Sequence, residues 1–89
     1  MIRLPADLRL RRELIEKVAT VLEARMDREA LTLREAAQML GVSHPRIADL
    51  LARRAGRFSL GRLVLLAEAL GLNVRIRATR PYGTGGTAD

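Results

Sequence analysis

Apolar residues mark four stretches of this chain. From residue 6 to 26, Leu8, Leu14, Ile15, Val18, Val21, Leu22 and Met26 lie on one broad helical face, and Arg11, Arg12, Glu13, Glu16, Lys17 and Glu23 lie on the other. This predicts an amphipathic helix, with Glu13 and Lys17 as an i,i+4 pair in the favourable order. Residues 27–31 have no clear period: they either extend this helix or break it before Thr32, and a loop or distorted turn is expected. Later, Leu60, Leu63, Val64, Leu66, Ala67 and Leu70 make a helix so apolar that it must be largely buried. Ser59 is its N-cap, Phe58 and Leu63 hold the two positions of a hydrophobic staple, and Gly71 ends it. Over residues 73–79, Val74, Ile76 and Ala78 alternate with Arg75, Arg77 and Thr79, the two-residue period of a half-buried strand.

The remaining stretch, residues 32–52, organises the others. Thr32 and Glu35 have the spacing of a capping box, and Ala36, Ala37, Met39 and Leu40 follow as an apolar stripe. Gly41 stands where the chain must adopt a left-handed conformation, Ser43 is a preferred N-cap, and Pro45 falls in a first turn, where its missing N–H does no harm. Val42 and Ile47 are spaced as a staple, and Ile47, Leu50 and Leu51 give the second helix a buried side. A small residue, a turn glycine and buried aliphatics at these offsets fit two helices crossing at ~90–120° through a short turn. This is a helix-turn-helix. An ordinary helical hairpin shares the caps and stripe, but the Gly41-Val42-Ser43-x-Pro45 run joins turn, staple and cap in one place.

A lone strand leaves its backbone ladder unpaired. The partner is either residues 1–4, where Ile2 and Leu4 flank Arg3, or the same strand of a second copy. The second is preferred, because an isologous dimer also completes a small core. The expected organisation is one domain over residues 1–80, then a Gly- and Thr-rich flexible tail over 81–89.

Composition narrows the chemistry. The 89 residues carry a net charge of +6, and 15 of the 16 basic residues are arginine. The excess is +1 over residues 1–31 (7 basic, 6 acidic), +3 over 32–60 (5 and 2) and +3 over 61–80 (4 and 1). A basic second half suits a polyanion, although an arginine-rich genome would also place Arg on any solvated face. Cysteine is absent and His44 is the only histidine, so thiolate chemistry and a Cys/His metal site are excluded, and no cofactor is implied. No apolar run approaches ~18 residues and no signal-peptide pattern opens the chain, so a cytoplasmic, prokaryotic protein that is not an enzyme is expected.

Taken together, LTLREAAQMLGVSHPRIADLLARRAGRFSLGRLVLLAEALGLNVRIRATRP, residues 31–81, resembles the phage-repressor-type (XRE) regulators, and within them the short HigA-like antitoxins. Relatives share a T-Q-x-E-A-A opening, a G-V-S-Q-P-R-V/I core, an F-S-L segment and an A-L-G close before a V-x-I strand. The resemblance implies a mainly α, four-to-five-helix repressor-like domain with a C-terminal β-strand, and a homodimer. It also implies binding to operator DNA, repression of the protein's own operon and, in many members, neutralisation of an mRNA-cleaving toxin. This chain departs from the pattern at Leu33 and His44, where Gln is usual, and at Gly61, where an acidic residue is common.

In such a motif the start of the second helix enters the major groove. Ser43, His44, Pro45, Arg46 and Asp49 are then the base-reading positions. Arg46 can fork onto a guanine edge, and His44 can donate to a base or phosphate unless it is only a solvated helix-start residue. Pro45 offers shape and an apolar contact, and Asp49 is expected to hold Arg46 or Arg53 rather than read cytosine. Thr32, Arg34, Arg53, Arg54, Arg57 and Ser59 are the candidate phosphate contacts, through guanidinium groups or helix-start amides. The competing reading is a helical protein-interaction adaptor that does not read DNA.

Overall fold

The fold is assembled on its first helix. The structure, a computed structural model, describes residues 6–75. Helix α1 spans Ala6–Glu29, α2 Leu33–Leu40, α3 His44–Leu51 and α4 Leu60–Ala69, with a single 3-10 turn at Ala55–Arg57. Ile15, Val18, Ala19 and Leu22 form the buried stripe of α1, which packs against α4, α3 and the 3-10 turn, while α2 packs chiefly on α3. Ala36 and Ala37 of α2, Ile47 and Leu50 of α3, Ala55, Phe58, and Leu63, Leu66, Ala67 and Leu70 complete one core. Among the described residues no polar or charged side chain is buried in it.

Three expectations change. Helix α1 runs through residues 27–29, because nothing there breaks a helix and Arg25 pairs with Glu29 at 3.1 Å one turn on. The reversal is a tight C-terminal cap in which the Leu31 amide donates to the Met26 carbonyl at 2.8 Å and Ala30 adopts φ 55°. Met39 leaves the α2 stripe for the surface, while Ala36 and Ala37 are buried and Leu40 is partly buried against the core. Leu65 faces outward on α4, although that helix buries its other large aliphatics wholly or in part.

The C-terminal strand is not seen among the described residues. Residues 72–75 form no strand; Leu72 and Val74 are partly buried against the core. Ile76 and Ala78, and residues 1–4 as the alternative partner, lie outside the described residues.

Ala30 holds a backbone conformation that costs a side chain roughly 1–2 kcal/mol and glycine almost nothing. Ala30→Gly is therefore expected to stabilise the fold by about 0.5–1 kcal/mol, net of the added freedom of the unfolded chain, as read from the urea midpoint.

Candidate nucleic-acid interface

Local capping fixes α2 and α3. The Thr32 hydroxyl accepts from the Glu35 amide at 3.1 Å, and the Glu35 carboxylate accepts from the Thr32 amide at 2.8 Å. This is the full reciprocal box that the spacing predicts. Gly41 ends α2 at φ 69°, and the Val42 amide returns to the Ala37 carbonyl at 3.0 Å. The Ser43 hydroxyl accepts from the Arg46 amide at 3.3 Å and starts α3, with Pro45 in its first turn. Val42 is half-buried and Ile47 fully buried, as staple residues should be.

With Ile47 and Leu50 turned inward, α3 presents Ser43, His44, Pro45, Ala48 and Ala52 to solvent. Ala48 and Ala52 belong to this face although no sequence motif marks them; their exposure follows from helix phase once Ile47 and Leu50 are known to be buried. Small side chains there let another surface approach the helix backbone.

Arg46 and Asp49, both half-buried, occupy one flank of this face. Arg46 donates from Nη1 to the Arg57 carbonyl at 2.7 Å, and its guanidinium lies 4.3 Å from the centre of the Phe58 ring. The ring's negative face and the carbonyl hold the cation in place, and a guanidinium's other N–H donors are left for a ligand. Phe58 is thus a platform as well as a core residue, and the Phe58 carbonyl in turn accepts from Arg11 Nη1 at 3.2 Å. Asp49 does not hold Arg46 or Arg53, contrary to expectation. Its carboxylate lies 3.4 Å from Arg54 Nη1 and 3.6 Å from Arg57 Nη1, because the 3-10 turn brings those two arginines back over α3. Both arginine side chains remain more than half exposed.

Among the candidate phosphate contacts, Arg53 differs in its partners. Its φ of 57° turns the side chain away from its neighbour Arg54 and toward α1. There Nη1 and Nη2 donate to the two Glu23 carboxylate oxygens at 2.6 and 3.0 Å, and Nε donates to Glu16 at 3.2 Å. Nη1 also meets the Leu51 carbonyl at 2.8 Å, which closes the end of α3. The hydrogen bond from Arg53 holds the Glu23 carboxyl below its usual range, and the two carboxylates push the Arg53 value up. A guanidinium bound by two carboxylates has its charge balanced within the chain, so Arg53 joins the end of α3 to α1.

The other helix starts contribute less uniformly. The Thr32 amide already serves the Glu35 carboxylate, whose charge opposes a phosphate there, while Arg34 in the same turn is exposed. Ser59 caps α4 by accepting from the Arg62 amide at 3.1 Å. Among the described residues, no group of three or more His, Cys, Asp or Glu is placed to hold a metal ion, and no helix is long and apolar enough to cross a membrane.

The helix-turn-helix domain family matches residues 2–79, most of the 89-residue chain. The chain belongs to that family. No curated protein and no solved structure matches it. Membership in the helix-turn-helix family, with α3 exposed beside Arg54 and Arg57, points to a DNA-binding regulator.

The Arg53–Glu23 bond predicts a pH signature. Since the folded Glu23 value lies below its ordinary 4.5, this contribution is complete above about pH 4.5 and fades as pH falls through the folded value. Arg53→Met is expected to be less stable than the parent chain near neutral pH, with the gap narrowing below pH 4.5. Urea midpoints from pH 3 to 7, on the order of one point per half unit, check this; a gap independent of pH removes the assigned role of Glu23.

Proposed function

We propose that this helix-turn-helix protein is a sequence-specific transcriptional repressor of the phage-repressor type that binds operator DNA as a homodimer in the cytoplasm. The observation that carries the reading is the outer face of α3. It is capped and oriented by local bonds, free of the chain's own core, and flanked by the exposed Arg54 and Arg57.

In this reading the first turn of α3 sits in the major groove. His44 meets a base acceptor, and Pro45 and Ala48 give apolar contact to a thymine methyl. Arg46 forks onto guanine, a contact worth roughly 1–3 kcal/mol of discrimination. Its seat on Phe58 lowers the ordering cost of that contact, because the side chain is already confined. Asp49 keeps Arg54 and Arg57 beside the groove, where they meet phosphates, and Arg34 serves a second backbone segment. Two copies related by a two-fold axis present recognition helices about 34 Å apart to a near-palindromic site.

The narrower role follows from the resemblance over residues 31–81: an antitoxin that represses its own operon and neutralises an mRNA-cleaving toxin. Its support is the shared motif text, and its test is the neighbouring gene. A small open reading frame that is toxic alone and harmless with this protein supports the role; a harmless neighbour removes it.

For DNA binding, the expected result is saturable binding to the duplex upstream of the gene, resistant to unrelated competitor. Each phosphate contact contributes about 0.9 to the log–log salt slope. Arg57→Gln should flatten that slope by about one such step while keeping the preferred sequence. His44→Ala should instead change the preference at one base pair, by about 1–3 kcal/mol. Fluorescence anisotropy against salt and single-base variants measures both. Failure to bind any duplex at low salt overturns the proposal in favour of the adaptor.

A further inference from the structure

The outer face of α4 is unused by anything described above. It comprises Gly61, Arg62, Leu65, Glu68 and Ala69, all exposed, and Leu65, at 61% exposure, is the most exposed large aliphatic of the described residues. Their order is symmetric about Leu65. Four residues away on either side stand the two small residues, Gly61 and Ala69, and three residues away stand the two charges, Arg62 and Glu68. At 3.6 residues per turn, both pairs straddle the line of the helix that passes through Leu65.

That pattern is symmetric in size and antisymmetric in charge, the property a surface needs to pack on a copy of itself in one direction only. Turned end for end about a two-fold axis beside Leu65, the second helix places its Glu68 level with Arg62, and its Ala69 level with Gly61, at both ends. Packed in the same direction, like charges would stand level instead. Among the described residues neither Arg62 nor Glu68 forms an ion pair within the chain.

Gly61 supports the same arrangement. Glycine is a poor helix former, its φ is not in the left-handed region, and a Cβ built on it meets nothing within 4 Å. Among the described residues nothing calls for glycine there, and its lack of a side chain leaves room for another helix to approach closely.

We propose that this α4 face is a self-association surface for a second copy of the chain, packed antiparallel with Leu65 at its centre. The inference rests on the homodimer reading above and assigns that dimer a helical contact. A ten-residue helix offers well under the ~800 Å² per partner of a standard interface, so a dissociation constant on the order of micromolar is expected.

Sedimentation equilibrium on the full chain, from about 1 to 200 μM, tests it, with circular dichroism and thermal melts confirming that each variant folds. Leu65→Asp should weaken association at least ~10-fold. Arg62→Glu and Glu68→Arg should each weaken it about 3- to 10-fold, and the double exchange should restore it to within ~3-fold of the parent. Gly61→Gln should raise the melting temperature of the monomer yet weaken the dimer. A parent dimer indifferent to all four changes overturns the α4 contact and leaves the homodimer standing through another surface. A parent chain monomeric throughout overturns both. Charge variants whose double exchange fails to restore association overturn the antiparallel arrangement.

Discussion

The close packing of α3 on α2 across Ala36 and Ala37 is the constraint from which the rest of the molecule follows. Ile47 and Leu50 share one buried core with Ala36 and Ala37, and small side chains on α2 let the two helices pack closely. Once those two are inward, helix phase alone turns His44, Pro45 and Ala48 outward. Gly41 makes the turn between the helices in a left-handed conformation that would strain most side chains, and Ser43 starts the second helix immediately afterwards. A larger residue at 36 or 37 would separate the two helices and lose the orientation of the outer face along with the packing.

A second constraint divides the charges. Arg53 takes two carboxylates of α1 and so ties the end of α3 to the long helix, while Arg54, its neighbour in sequence, turns the other way onto Asp49. The basic loop is therefore split between an internal tether and an external pair. The interface keeps Arg54 and Arg57 exposed, with Asp49 limiting how far they wander and moderating their mutual repulsion. Arg46 is held by a different means, a ring face and a carbonyl, which leave its charge uncompensated by any carboxylate among the described residues. A surface arranged in this way attracts a polyanion while its cations stay in defined positions.

Features set by chemistry over three or four residues were readable from the sequence: the Thr32–Glu35 box, the Ser43 and Ser59 caps, the Gly41 reversal and the buried pair on α3. Each depends on neighbours one helical turn away, so spacing carries the information. What spacing could not give was the direction of single side chains after a turn. Arg53 and Arg54 look equivalent in sequence, and only the positive φ at residue 53 sends them to opposite sides. The partners of Asp49 depend on the path of the 3-10 turn, and the extension of α1 to Glu29 rests on an alanine accepting a conformation that favours glycine. Alanine advertises no chemistry, so sequence alone does not mark Ala48, though its exposure makes it part of the face.

The claim that everything else serves is that the outer face of α3 meets duplex DNA. Amide chemical-shift mapping during titration with the duplex upstream of the gene tests it most directly. The largest shifts are expected at His44, Arg46, Ala48 and Asp49 and in the Arg54–Arg57 loop, with the Glu16–Glu23 side of α1 nearly silent. Shifts concentrated on α1 or α4, with α3 unmoved at saturation, would contradict it.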